Sequence, residues 1–441
     1  MAQRFIAADR DQVFLMPPSV REWLPAGHLA WCVLDAVEEM DLAVFYGVYR
    51  ADGHGRPAFD PGLMVALVLY AYCVGERSSR GIERRCEEDV AFRVVAANLV
   101  PDHSTLARFV VRHEDALAGL FSQVLRLCAK AGLGRAGTLA VDSTKLHANA
   151  SSRRSLDFAR IAREIVAEGI ATDQAEDELY GDARGDELPP ELADPKTRRE
   201  RLRAAKRELQ AEWEAEQRAR EEMLARRAEH EARTGRRLPG RPPHQRDMSG
   251  PPPGLVNLTD PQSRPMRTAR GFIQGYNAHA VATADQLIVA VELTARSGDG
   301  GMLAPMISAA REQLAAAGVE PPTHALADAG YWSTRDIETL TASGMSVLVP
   351  PDGHARTGAP KRNTRGALAA RMRDLLRSDP GRELYRQRQQ IIEPIFGDTK
   401  HNRRIERFRR RGLAACRAEW HLITATHNLR KLWRATTPAP A

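Results

Sequence analysis

The sequence predicts an α/β protein, with a mixed sheet flanked by helices, an all-α N-terminal region, and a long helical insertion after the first core strand. Three observations carry that prediction. Residues 1–132 are patterned mostly as helices. The apolar run Leu139-Ala140-Val141 reads as a buried strand, and a stretch dense in Arg, Glu and Ala follows it. From residue 271 onward, β-rich runs alternate with amphipathic helices, the order expected of a mixed sheet covered by helices.

Each element has its own signal. In "HLAWCVLDAVEEMDLAVF" (28–45), Leu29, Val33, Val37 and Met40 recur at helical spacing. "PGLMVALVLYAYCVG" (61–75) is apolar all round but shorter than the roughly 20 residues a membrane span needs, so it reads as a buried helix. Ser78 and Ser79 are candidate N-caps for the next helix. In residues 101–132, Ser104 or Thr105 is placed to cap a helix whose apolar side includes Leu106, Phe109, Leu117, Leu120 and Val124, with Gly132 and Gly134 ending it. Between Lys196 and Arg237 there are 14 basic and 9 acidic residues. Leu202 and Leu209 begin an apolar seam that fails beyond Trp213, which favours a solvated helix laced with i,i+4 pairs over a DNA-touching arm. Residues 238–254 form a Pro/Gly linker. Two β-rich runs around "ATADQ" predict a hairpin, followed by a helix (302–318), a strand (323–332), a helix (333–344) and a strand (345–350). Residues 366–433 read as helical with one break near Gly412. The resulting division is 1–132, an N-terminal helical DNA-binding domain; 133–152, the first core strand; 153–265, the charged insertion and linker; and 266–436, the rest of the core.

The chain has 441 residues and a net charge of +7, a basic balance that permits a polyanionic partner without requiring one. Its five cysteines are odd in number and lack any C-x-x-C pair, which argues against a disulfide framework or structural zinc and for a reducing compartment. With no secretory signal pattern and no stretch long enough for a membrane span, the expectation is a cytoplasmic protein, nucleoid-associated when bound to DNA.

The chemistry is expected from three acids, each following or lying within an apolar segment. Asp142 ends "LAV", Asp328 ends "HALA", and Glu393 stands behind Ile391 and Ile392. A buried carboxylate is expensive without a partner, and sheet folds gather ligands at strand ends. Three carboxylates without obligatory His or Cys would make a hard oxygen site suited to magnesium or manganese. Two such ions about 3.5–4 Å apart suit an in-line displacement at phosphorus. Around Glu393 lie Tyr385, Arg388, Lys400, Arg403, Arg404 and Arg407, which fit phosphate contacts. On a continuous helix, Glu393 and Lys400 would share a face. His147, His324, Lys145 and Trp332 each have an ordinary surface or core reading as well as a site reading, and "GDGG" (298–301) reads as a turn.

"LAVDSTKLHANAS", "GYNAHAVAT", "ALADAGYWS" and "YRQRQQIIEPIFGDTKHNRR", with the N-terminal "PDHSTLARF", resemble the motifs of bacterial insertion-sequence transposases of the DDE type over residues 15–433. The resemblance implies an RNase H-like catalytic core with an insertion. It also implies an enzyme that binds double-stranded DNA at the terminal inverted repeats of its element, cleaves there, and joins the ends to target DNA, acting as a homodimer. Carried over by position, Asp142, Asp328 and Glu393 would be the triad that binds two Mg²⁺ or Mn²⁺ ions, and Tyr385, Arg388 and Lys400 would contact DNA near the cleavage point. The Arg388-to-Glu393 gap is one residue longer than in the best-known version of that signature. His279 and Thr283 stand where relatives often have Gln and an acidic residue. A DNA-binding regulator without catalysis, and a metal-dependent nuclease without strand transfer, remain the alternatives.

Overall fold

The computed structural model describes residues 19–49, 58–135, 137–150, 155–157, 160–161, 195–237, 255–268, 271–353 and 364–437. The expected linker at 238–254 lies outside the described residues. The chain divides into two compact units, Met1–Leu133 with Leu422–Ala441, and Gly134–His421.

The first unit is helical among its described residues: α1 (Leu29–Glu38), α2 (Ala43–Tyr46), α3 (Pro61–Cys73), α4 (Ser79–Glu88), α5 (Val90–Val95), α6 (His103–Arg112) and α7 (Glu114–Lys130). α3 is buried on nearly every side, as an apolar-all-round sequence demands. Its N-terminus is set by Asp60, which accepts from the Leu63 N–H, with Pro61 in the first turn. Ser78 caps α4 as expected, but Asp89 ends that helix and caps a separate α5. At α6 the cap is Asp102 and not Ser104 or Thr105. Its carboxylate accepts from the backbone N–H groups of both residues, and their hydroxyls donate to it as well. A charge at a helix N-terminus serves the cap and the helix dipole together, which a hydroxyl one residue further in does not do. The last part of helix α13 (Leu413–Thr436) joins this unit, where the thiols of Cys73 and Cys128 donate to the Thr426 and Asn428 carbonyls.

The second unit is built on a mixed sheet. Its strands are β1 (Thr138–His147), β4 (Arg264–Thr268), β5 (Gly271–Thr283), β6 (Ile288–Thr294), β7 (His324–Ala327) and β8 (Ser346–Leu348), while β2 (Ser155–Asp157) and β3 (Leu255–Asn257) pair separately. The path runs β4-β5-β1-β7-β8, with β6 also paired to β5. β5 is antiparallel to β1, β4 and β6, whereas β7 is parallel to β1 and β8 parallel to β7. The parallel half depends on crossover helices, here α9 (Leu303–Ala316) before β7 and α10 (Thr334–Ala342) before β8. The β5–β6 hairpin turns through Gln286, which takes a positive φ of 62°.

The insertion keeps a long helix, α8 (Pro195–Thr234). Leu202, Ala205 and Leu209 bury against Ile161 and Val256, and beyond Leu209 the helix is exposed or half-exposed, decorated by the i,i+4 pairs Glu214–Arg218 and Glu222–Arg226. The buried seam ends at Leu209, one turn before Trp213, beyond which the sequence pattern fails.

The C-terminal helical stretch is more broken than its pattern suggests. It comprises α11 (Ala367–Arg377), α12 (Asp379–Gly397), a π turn at Asp398–Asn402, and α13. Between the π turn and α13 the chain is not helical, with Arg404 at φ 52°. This segment instead extends the hydrogen bonding of β1: the His147 N–H donates to the Glu406 carbonyl, and the Phe408 N–H to the His147 carbonyl, both at 2.9 Å.

Candidate active site

The backbone register brings the first two acids together. β1 and β7 run parallel with Val141 opposite Ala327, so the next residue on each strand is an aspartate, Asp142 and Asp328. Neighbouring strands lie about 4.8 Å apart, which makes these two carboxyls neighbours. The strands then part. β7 ends at Ala327, and Asp328 turns the chain by accepting from the Gly330 N–H at 2.9 Å. β1 does not end at Asp142, as the apolar run alone suggests. It continues to His147 because β5 pairs with it along its whole length. Asp142 is thus mid-strand, at the point where β7 leaves and one side of the sheet opens.

α12 packs against β1, β5 and β7 and presents Arg388 and Tyr385 to the pair. The Arg388 Nη1 donates to Asp142 Oδ2 at 2.8 Å, and the Ser143 N–H donates to Asp142 Oδ1 at 2.7 Å. Burial pushes the Asp142 carboxyl up to about 6; Arg388 opposes this and Asp328 adds to it. Asp328 is also held above the usual carboxylate range, first by burial and then by the charge of Asp299. Burial works against the Arg388 charge, but Asp142, Tyr385 and Asp328 outweigh it and hold the guanidinium firmly protonated. Its Nε is buried without a hydrogen-bond partner.

Glu393 is placed differently. It lies on α12 between the buried Ile392 and Ile395, yet its side chain is exposed. Among the described residues no three acidic, histidine or cysteine side chains gather closely enough to hold a metal ion. The pair formed by Asp142 and Asp328 does fit a hard divalent cation, since two adjacent ionised carboxylates, both costly to charge, are what such a cation relieves. Nor do Glu393 and Lys400 share one helical face. The π turn intervenes, and Lys400 folds back to donate from Nζ to the Lys145 carbonyl at 3.1 Å, with burial lowering its proton affinity. Of the residues expected to touch DNA, Arg404 and Arg407 are exposed and Tyr385 and Arg388 half-buried. Arg403 is 3% exposed, so its side chain is not presented to an outside phosphate.

Sequence reasoning passes over one acid at this site. Asp299, in the loop after β6, accepts from Ser143 Oγ at 2.6 Å and Asn277 Nδ2 at 2.8 Å, with Lys145 Nζ at 4.0 Å. The available signal was an aspartate between glycines directly after a predicted strand. His279 is wholly buried beneath this group and bonds Tyr331 Oη at 2.8 Å; burial pushes its pKa down to about 4, so the ring is neutral. Its carbonyl accepts from Trp420 Nε1 at 3.0 Å, which settles Trp420 as a core residue. Trp332 is half-buried, and Tyr331 takes the core place beside it.

Comparison with known protein families places two matches on the chain in order. Residues 18–112 match the family model described as "Transposase domain (DUF772)", and residues 241–429 match the "Transposase DDE domain". The second match includes Asp328, Glu393, Arg388 and Lys400, and begins after Asp142. No curated protein and no solved structure shows significant similarity to the chain. The described residues contain no helix long and apolar enough to cross a membrane.

Proposed function

We propose that this chain, an insertion-sequence transposase of the DDE type by its two family matches, binds the terminal inverted repeats of its element, cleaves the DNA there and joins the ends to a target. The observation that carries the reading is the parallel register that seats Asp142 beside Asp328 where β7 leaves the sheet. The strand arrangement, three antiparallel strands continued by two parallel ones with helices against them, supports an RNase H-like core. The helices of residues 1–132 are read as the DNA-binding part. The exposed Arg108 and Arg112 of α6 are the first candidates for a groove contact. A homodimer bridging two ends belongs to the same reading.

Asp142 and Asp328 would hold the divalent ions, Mg²⁺ or Mn²⁺. When bound, such ions activate the attacking oxygen and stabilise the leaving one at phosphorus. Glu393 stands as the third acid by its place in the sequence pattern, on the helix whose Arg388 already reaches Asp142. In the chain itself, Arg388 neutralises Asp142 through Nη1, and its half-buried guanidinium is the cation nearest the acidic pair. Tyr385 packs under that guanidinium, 5.9 Å from its ring centre, and fixes its direction. Exposed Arg404 and Arg407 supply sequence-independent backbone contacts further along the DNA.

The test incubates the full-length protein with DNA carrying its element's ends and Mg²⁺ or Mn²⁺. Wild type releases 3′-OH ends and joins them to a second DNA. Asp142→Asn and Asp328→Asn lower both steps by about 10³-fold or more, and Glu393→Gln does the same if it is the third acid. Cleavage without joining would identify a nuclease, and binding without cleavage a regulator. Full activity in both aspartate variants would refute the site.

A further inference from the structure

We infer that Asp299 is a positioning residue of the Asp142–Asp328 site, fixing the strand that carries Asp142 and setting a further negative charge beside Asp328; this rests on the cation-binding reading above. Asp299 lies in "SGDGG" between β6 and α9. Its Oδ1 accepts from Ser143, the residue after Asp142 on β1, and from Asn277 on β5. Lys145 Nζ and His279 Nδ1 stand 4.0 and 3.9 Å away. One carboxylate oxygen therefore ties together the two strands that form the floor of the site.

The other oxygen faces the second acid. A Cβ placed on Gly330 would lie 2.9 Å from Asp299 Oδ2 and 3.0 Å from Asp328 Oδ1, so the two oxygens converge over Gly330 and lie within about 6 Å of each other. A side chain at position 330 would press into the space the two carboxylates share. Gly330 also donates its N–H to Asp328, so the turn that directs the Asp328 carboxylate is the one Asp299 Oδ2 faces.

Two features are unnecessary for folding alone. A neutral side chain could accept from Ser143 and Asn277 without facing another carboxylate. Asn277, moreover, is fully buried and its Oδ1 has no partner, an arrangement that destabilises the fold wherever it is kept. Charge repulsion and an unpaired buried amide, side by side at the edge of the acidic pair, are what a cation-binding site tolerates and a purely structural corner avoids.

Binding of Mn²⁺ to the full-length protein, read from the electron paramagnetic resonance signal of free Mn²⁺, tests this without DNA or turnover. Asp299→Asn keeps the shape and one acceptor but removes the charge. Mn²⁺ affinity is expected to fall about tenfold while the melting temperature without metal stays equal to wild type or rises. Ser143→Ala, which loosens Asp299 without altering its charge, is expected to weaken Mn²⁺ about threefold. If wild type binds Mn²⁺ and both variants bind it within twofold of wild type, the inference fails and the Asp142–Asp328 reading survives. A lowered melting temperature with unchanged affinity would make Asp299 merely structural and also overturns it. If wild type binds no Mn²⁺, the cation reading falls and takes the inference with it.

Discussion

Replacing Asp142 by Asn should stabilise this protein at neutral pH, and the gain should vanish in acid. The carboxyl of Asp142 is moved from its ordinary 3.8 to about 6, by burial first, with Arg388 opposing and Asp328 adding. Because the folded state holds this proton more tightly than the unfolded chain, folding binds protons between those two values. Stability through this group is therefore highest below pH 3.8 and is lost as pH rises through 6. The displacement corresponds to about 3 kcal/mol at pH 7.5. Asparagine has the same shape and no proton to lose, so it is free of that penalty at every pH. Urea denaturation in EDTA, from pH 4 to pH 8, measures it, and taking the variant minus wild type cancels other titrating groups. The difference should grow from near zero at pH 4 to about 3 kcal/mol at pH 7.5, or a rise in melting temperature of about 3–5 °C. A difference that is flat with pH, or that turns against the variant as pH rises, would mean that the Arg388 ion pair outweighs burial. The electrostatic account of the site would then be wrong.

Two further predictions concern packing in the two units, one in each. A Cβ on Gly275 would lie 2.1 Å from the Leu146 carbonyl oxygen, backbone against backbone, so Gly275→Ala should break the β1–β5 register and cost about 3 kcal/mol or more in denaturation, whereas Gly298→Ala, where nothing lies within 4 Å, should be close to neutral. Burial pushes the Cys32 and Cys86 thiols up to about 11, aided by neighbouring acids, so their alkylation by iodoacetamide should be slow at pH 8 and accelerate up to about pH 11; fast labelling of either at pH 7 would contradict their environment.

Much of the architecture is legible along the chain because it is local. The apolar-all-round α3, the hairpin at "ATADQ", the Ser78 cap and the end of the α8 seam each rest on residues within a few positions of one another. So does the finding that Asp142 and Asp328 directly follow apolar strand segments. The errors fall where a distant partner decides. Asp142 does not end its strand, because β5, more than 120 residues later in the chain, pairs with β1 beyond it. Glu393 and Lys400 do not share a face, because a π turn and a hydrogen bond to β1 pull Lys400 away from the helix.

Taken by itself, the sequence determined the kind of protein: the element order, the three acids and the basic surroundings of the third. Propensity, periodicity and residue type are properties of short windows, and they suffice for that. Only the tertiary structure decided which acids meet. The parallel register of β1 and β7 joins Asp142 to Asp328, the loop after β6 delivers Asp299, and Glu393 is left exposed on α12. Proximity between residues 142, 299 and 328 is fixed by strand pairing and by backbone turns of the folded sheet, and no window of the sequence contains all the atoms that set it.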